Sequence, residues 1–132
     1  MHPAAIENWH KLMKARDSQG LDTLLADDVV FQSPVVHTPQ VGKAITKLYL
    51  TAAMEVIGNE AFRYIGEWFG PTSAILEFET VIDGIKINGI DMIGWNEAGQ
   101  INTFKVMVRP LKAINMLHAT MGARLSEMTA KV

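Results

Sequence analysis

The sequence has no cysteine. That excludes disulfides, thiol catalysis and cysteine metal sites, and it is compatible with a reducing cytoplasm, the expected location. Neither sign of charge dominates: twelve Lys and Arg stand against fourteen Asp and Glu, for a net charge of −2. The basic residues are scattered, so no stripe tracks a phosphate backbone and no field draws an anionic surface. Nucleic acid and membrane are therefore not expected partners. No apolar run is long enough to cross a bilayer, and Met1 to Arg16 carries charges inside its apolar pattern, unlike a signal peptide. The four histidines show no ligand spacing of the His-x-x-x-His kind, and the ten glycines show no phosphate-loop spacing. No metal and no cofactor is expected. No linker, repeat or low-complexity stretch interrupts the chain, so residues 1–132 are expected to form one domain.

What is present is apolar and well patterned. Hydrophobic residues make up 48%, enough to fill a core, and eight methionines suggest an adaptable interior. Pro3 to Ser18 places Ile6, Trp9, Leu12 and Met13 on one helical stripe, and Gly20 is expected to close that helix. Leu21 to Leu25 reads as a short second helix and Val29 to Gln32 as a short strand. Ser33 to Pro39 reads as a proline-flanked loop. Lys43 to Ile57 is helical again, with Ile45, Leu48, Tyr49, Ala52 and Val56 on its apolar face.

After Gly58 the period changes from 3.6 to 2. Phe62, Tyr64 and Trp68 alternate with Arg63, Ile65 and Glu67. Leu76, Phe78, Thr80 and Ile82 alternate with Glu77, Glu79 and Val81. Asp83-Gly84 is a tight-hairpin signal. Ile85, Ile87, Gly89, Asp91, Ile93 and Trp95 share one face of the next strand, and Phe104, Val106 and Val108 face inward from the last. Pro110 stops that strand, and Leu111 to Met128 carries a long apolar stripe. Helices set against a run of antiparallel strands imply α+β. A long twisted sheet must curl or be covered, so the expected architecture is a cone. Its curved antiparallel sheet holds helices on the concave face, with an extra helix at the C-terminal end.

Asp91 breaks the pattern of its strand. A carboxylate on an otherwise apolar face must find partners, keep a proton, or meet water in a cavity. A slip of one residue would move it outward but would bury Lys86 and Asn88; a bulge near Gly89 would have the same effect locally. Tyr49 is the first candidate to direct its hydroxyl at Asp91, with Tyr64 the alternative. Trp9 reads as core packing, His10 as solvent-exposed, His37 as a residue of the rim loop, and His118 as lying near the stripe of the last helix. On the outer sheet face, Ile90, Met92 and Met107 lie beside Lys105 and Arg109, a mixture that suits a subunit interface.

The segment Gly89-Ile90-Asp91-Met92-Ile93-Gly94-Trp95-Asn96-Glu97-Ala98-Gly99-Gln100-Ile101 resembles the strand–turn–strand signature of the nuclear transport factor 2-like cone fold. So does Leu25-Ala26-Asp27-Asp28-Val29-Val30-Phe31-Gln32-Ser33-Pro34, as does Gly42 before a helix. That superfamily includes ketosteroid isomerases, limonene-epoxide-hydrolase-like enzymes and polyketide cyclases of the SnoaL-like type. The resemblance implies a sheet-to-sheet homodimer. It places Asp91 where ketosteroid isomerases hold a protonated carboxyl that donates to an oxyanion. Ser33 stands where those enzymes carry their basic aspartate, and Leu12 near their tyrosine. The Asp–Arg–Asp set of the epoxide hydrolases is matched only by Asp91, since Arg63 and Arg109 are expected to face outward.

Two functions follow. One is binding of a small apolar molecule in a pocket walled by Trp9, Phe31, Ser33, Tyr49, Tyr64, Phe78, Ile93, Phe104 and Val106, with Asp91 among them. The other is isomerase, hydrolase or polyketide-cyclase chemistry in that pocket, with Asp91 as candidate catalytic acid/base or oxyanion donor.

Overall fold

A computed structural model describes residues 3–130. The elements run α1 (Ala4–Ala15), a single 3-10 turn (Ser18–Gly20), α2 (Leu21–Leu24), β1 (Leu25–Gln32) and β2 (Gln40–Val41). They continue with α3 (Lys43–Val56), β3 (Arg63–Phe69), β4 (Ser73–Ile82), β5 (Ile85–Trp95), β6 (Ile101–Arg109) and α4 (Leu111–Ala130). The six strands form one curved sheet in the order β2-β1-β6-β5-β4-β3. The fold is α+β, as the pattern of periods implies. The sheet is antiparallel except where β1 runs parallel to β6.

Several local details differ from the sequence reading. Helix α1 ends at Ala15, not near Gly20, because Arg16 takes a left-handed conformation with φ 52°. The Asp17 side chain then accepts from the backbone N–H groups of Gln19 and Gly20, which starts a new turn. Strand β1 begins at Leu25, four residues before the expected start. A bulge between Leu25 and Val30 hides its alternation: Leu25, Ala26, Val29 and Phe31 are buried, while Asp27 and Asp28 are exposed. The loop Ser33 to Pro39 is followed by a two-residue strand the sequence reading missed, β2, which pairs with Val30 and Phe31. In α3 the buried residues are Thr46, Leu50, Ala52 and Met54 rather than the stripe through Ile45 and Leu48. This helix packs against both β1 and α4, so more than one stripe is covered.

Strand β3 carries a bulge at Ile65. Tyr64 pairs with Phe78 and Gly66 with Glu77, leaving Ile65 unpaired. One extra residue exchanges the faces of everything after it. Glu67 now lies opposite buried Leu76, and Trp68 turns outward to 57% exposure. Trp68, expected on the inner face with Tyr64, therefore lies on the outer one. Its ring covers Gly66, where a Cβ would come within 2.8 Å of it.

The core lies between the sheet and the helices. Ile6, Trp9, Leu25, Leu50, Leu76 and Phe104 anchor its larger part. Phe78, Ile87, Ala113 and Leu117 form a second cluster under α4. Helix α4 follows a cis Arg109–Pro110 bond and packs on its own chain, against α3, β5 and β6. Among the described residues no helix is long and apolar enough to cross a membrane.

Candidate functional site

Strand β5 runs in unbroken register with β4 from Ser73–Gly94 to Ile82–Ile85, so no bulge turns Asp91 outward. Asp91 sits between Leu76 of β4 and Val106 of β6 and is 6% exposed. Gly89 has a steric task one step away. A Cβ there would come within 2.4 Å of the Phe78 ring and 2.7 Å of the Met107 carbonyl oxygen. Its absence lets Phe78 lie across the strand, beside the carboxyl.

Tyr64, not Tyr49, meets Asp91. Its hydroxyl donates to Asp91 Oδ2 at 2.6 Å and accepts from the Trp9 indole N–H at 2.8 Å. Trp9 is thus both a core residue and the far end of a three-residue polar chain. The Tyr64 ring is held edge-on by Phe62 and His10. His10, expected in solvent, is half-buried, and its Nε2 lies 2.5 Å from Glu67 Oε1. The bulge at Ile65 is what brings Glu67 to this side. Tyr49 instead lies tilted against Phe31, with ring centroids 5.3 Å apart.

Burial dominates the electrostatics. It pushes the Asp91 carboxyl from its ordinary 3.8 up to about 7, and the Tyr64 hydrogen bond pulls the other way. Tyr64 is raised well above its usual value of 10, by burial first and by the nearby Asp91 charge second. Near neutral pH both protonation states of Asp91 are therefore populated, one able to donate and the other only to accept a hydrogen bond.

Two cavities meet inside the cone. The inner one, about 40 Å³, is lined by Asp91 together with Trp9, Phe31, Phe78, Phe104 and Val106. It has room for a water-sized group beside the carboxyl. The outer one, about 220 Å³, is walled by Ser33, Tyr49 and the loop Pro34–Val36 on one side. Leu117, His118, Met121, Gly122 and Leu125 of α4 wall it on the other. Phe31, Ala53, Ile57 and Val106 line both, so the two adjoin.

Of the residues expected at the pocket, Trp9, Phe31, Phe78, Phe104 and Val106 line the inner cavity, and Phe31, Ser33, Tyr49 and Val106 the outer. Ile93 lines neither: it is buried between Ala74 and Phe104, one inward position beyond Asp91. Tyr64 also lines neither and reaches the site through its hydroxyl. The Ser33 hydroxyl accepts from the N–H groups of Val35 and Val36 and so shapes the loop. His37 is exposed; His118 is on the outer rim. Ala53 and Ile57 were not anticipated at the site; reading the face of α3 one position over would have found them. The α4 residues showed only as an apolar stripe.

No protein-family profile matches the sequence, and no curated protein matches it. Solved structures do. The chain is similar to a steroid delta-isomerase from Pseudomonas aeruginosa, with 36% identity over 96% of this chain and 93% of that one, at a TM-score of 0.90. It is similar to an uncharacterised protein with a cystatin-like fold from Silicibacter pomeroyi, with 28% identity over 92% and 85% of the two chains and a TM-score of 0.85. An NTF2-like protein from Mesorhizobium loti, at 14% identity over 80% and 88% and a TM-score of 0.69, shares the fold.

Proposed function

This chain belongs to the nuclear transport factor 2-like superfamily, and we propose that it binds a small, predominantly apolar molecule in the joined cavities, with Asp91 as its polar anchor. One observation carries this reading. A carboxyl 6% exposed, whose one hydrogen-bonding partner among the described residues is Tyr64, adjoins apolar space that shares four wall residues with a larger apolar cavity. Holding a carboxyl there costs desolvation, which makes it a candidate for a ligand-contacting group. A group at about 7 suits a ligand that presents a carbonyl or hydroxyl. A 3-ketosteroid is the first probe, since a steroid delta-isomerase shares the fold at 36% identity. Titration followed by tryptophan fluorescence should show saturable binding. Asp91→Ala should weaken it at least about tenfold, the worth of one hydrogen bond to a partly charged group. Equal binding by the variant would remove Asp91 from the site.

A second reading, isomerisation, is favoured by the same value of about 7, which is where a proton-transfer group works best at neutral pH. Asp91 would take a proton from a carbon next to the ligand carbonyl and return it further along the conjugated system. Ultraviolet absorbance of a 5-ene-3-ketosteroid tests this. Conversion to the conjugated isomer that is lost in Asp91→Asn supports catalysis, and no conversion by a protein that binds the steroid leaves binding alone.

We also propose that two copies of the chain associate through the outer sheet face, where Met107, Ile65 and Trp68 are 50%, 47% and 57% exposed. Light scattering should give twice 14.6 kDa, and Met107→Glu should return the single-chain mass. A wild-type protein that scatters as one chain at every concentration would end this proposal.

A further inference from the structure

Gly122 sits in the middle of α4, twelfth of twenty residues. Glycine is among the weakest helix formers, so a mid-helix glycine needs a reason. Backbone conformation does not supply one, because its φ is not among the positive glycine values. Packing does not supply one either: a Cβ built there would meet nothing within 4 Å. What the missing side chain does leave is open space on the wall of the 220 Å³ cavity, at its solvent-exposed rim. His118, one turn before, and Leu125, one turn after, flank it on the same wall. Pro34, Val35 and Val36 stand on the other.

We propose that Gly122 is a specificity-determining position, a notch that lets the ligand's apolar body extend past α4 toward the rim while its polar end stays at Asp91. The ligand class is an elongated apolar molecule with one hydrogen-bonding end. It is longer than the inner cavity of about 40 Å³ can hold. This rests on the pocket reading above and adds what selects among ligands.

The test uses the full chain with displacement of 1-anilinonaphthalene-8-sulfonate by 2-octanone and 2-decanone. In the wild type the longer ketone should bind about tenfold more tightly, as two more buried methylenes imply. In Gly122→Leu that preference should fall to about twofold or less. Gly122→Ala, which suits any helix, should melt no lower than the wild type and show an intermediate preference. An undiminished chain-length preference in both variants overturns the notch and leaves the pocket standing. Displacement by neither ketone from the wild type overturns the pocket reading and the notch with it.

Discussion

The inner and outer cavities share four walls but are built by opposite means. The inner one is enclosed by paired strands, α1 and α3, holds the one buried carboxyl among the described residues, and is organised by a chain of hydrogen bonds from Trp9 through Tyr64 to Asp91. The outer one is five times as roomy and is closed by a loop and a helix. That helix is joined to α3 by the apolar contacts of Leu117 and an ion pair between Arg124 and Glu55. Polarity is fixed where backbone pairing is densest, and volume is set where it is sparse. On the proposed reading, chemistry or anchoring belongs to the inner end and selection to the outer.

The largest expected effect is at the inner end. Asp91 is raised on folding, so the folded chain holds its proton between pH 3.8 and about 7 while the unfolded chain has released it. Stability from this group is complete below pH 3.8 and falls as pH rises, by about 1.4 kcal/mol per pH unit, levelling off near 7. The total is on the order of 4 kcal/mol. In urea unfolding between pH 4 and 8, Asp91→Asn should abolish that fall. Parallel profiles for wild type and variant would mean that Asp91 is solvated and the inner cavity is not the dry end.

Next in size is Tyr64→Phe. It strips Asp91 of its donor and Trp9 of its acceptor, at a cost of about 2–3 kcal/mol. Because the Tyr64 bond is what holds the carboxyl down, its loss should move the Asp91 titration above 7. A carbon-13 NMR titration of the carboxyl that moves downward instead would break the proposed order of the chain.

The smallest effect belongs to the outer end. Arg124→Ala cuts the exposed link to Glu55 and should move global melting less than either inner substitution. It should speed hydrogen exchange in the second half of α4 while leaving β4 and β5 protected. Equal acceleration in the sheet would show that the two regions unfold as one and would erase the contrast between them.

Much of the inner end was legible from residue order. Alternation along residues 85–95 placed Asp91 inward, because a slipped register would have buried Lys86 and Asn88. The choice between Tyr49 and Tyr64 was not legible. It turned on how α3 is rotated and on the bulge at Ile65, which keeps Tyr64 inward, turns Trp68 out and brings Glu67 to His10. A bulge leaves no mark in a period-2 pattern except a mismatch, and Ile65 looked like an ordinary outward residue. The missing mark at Ile93 is of another kind. Facing inward is a property of the strand, but facing empty space depends on which neighbours fill the volume, and Phe104 and Ala74 fill it there.

The sequence by itself determined the α+β class, the order of the long elements, the absence of thiol chemistry, and the inward carboxyl at Asp91. These depend on local period and composition, which chain order records. Only the tertiary structure decided that Asp91 is tied to Tyr64 and Trp9, that the cavity has two compartments, and that α4 closes the larger one. Those depend on contacts between residues 27 and 55 positions apart, and on volumes left between elements. The physical reason is that a hydrogen bond across such a span is set by bulges, helix rotations and packing, none of which has a period to read.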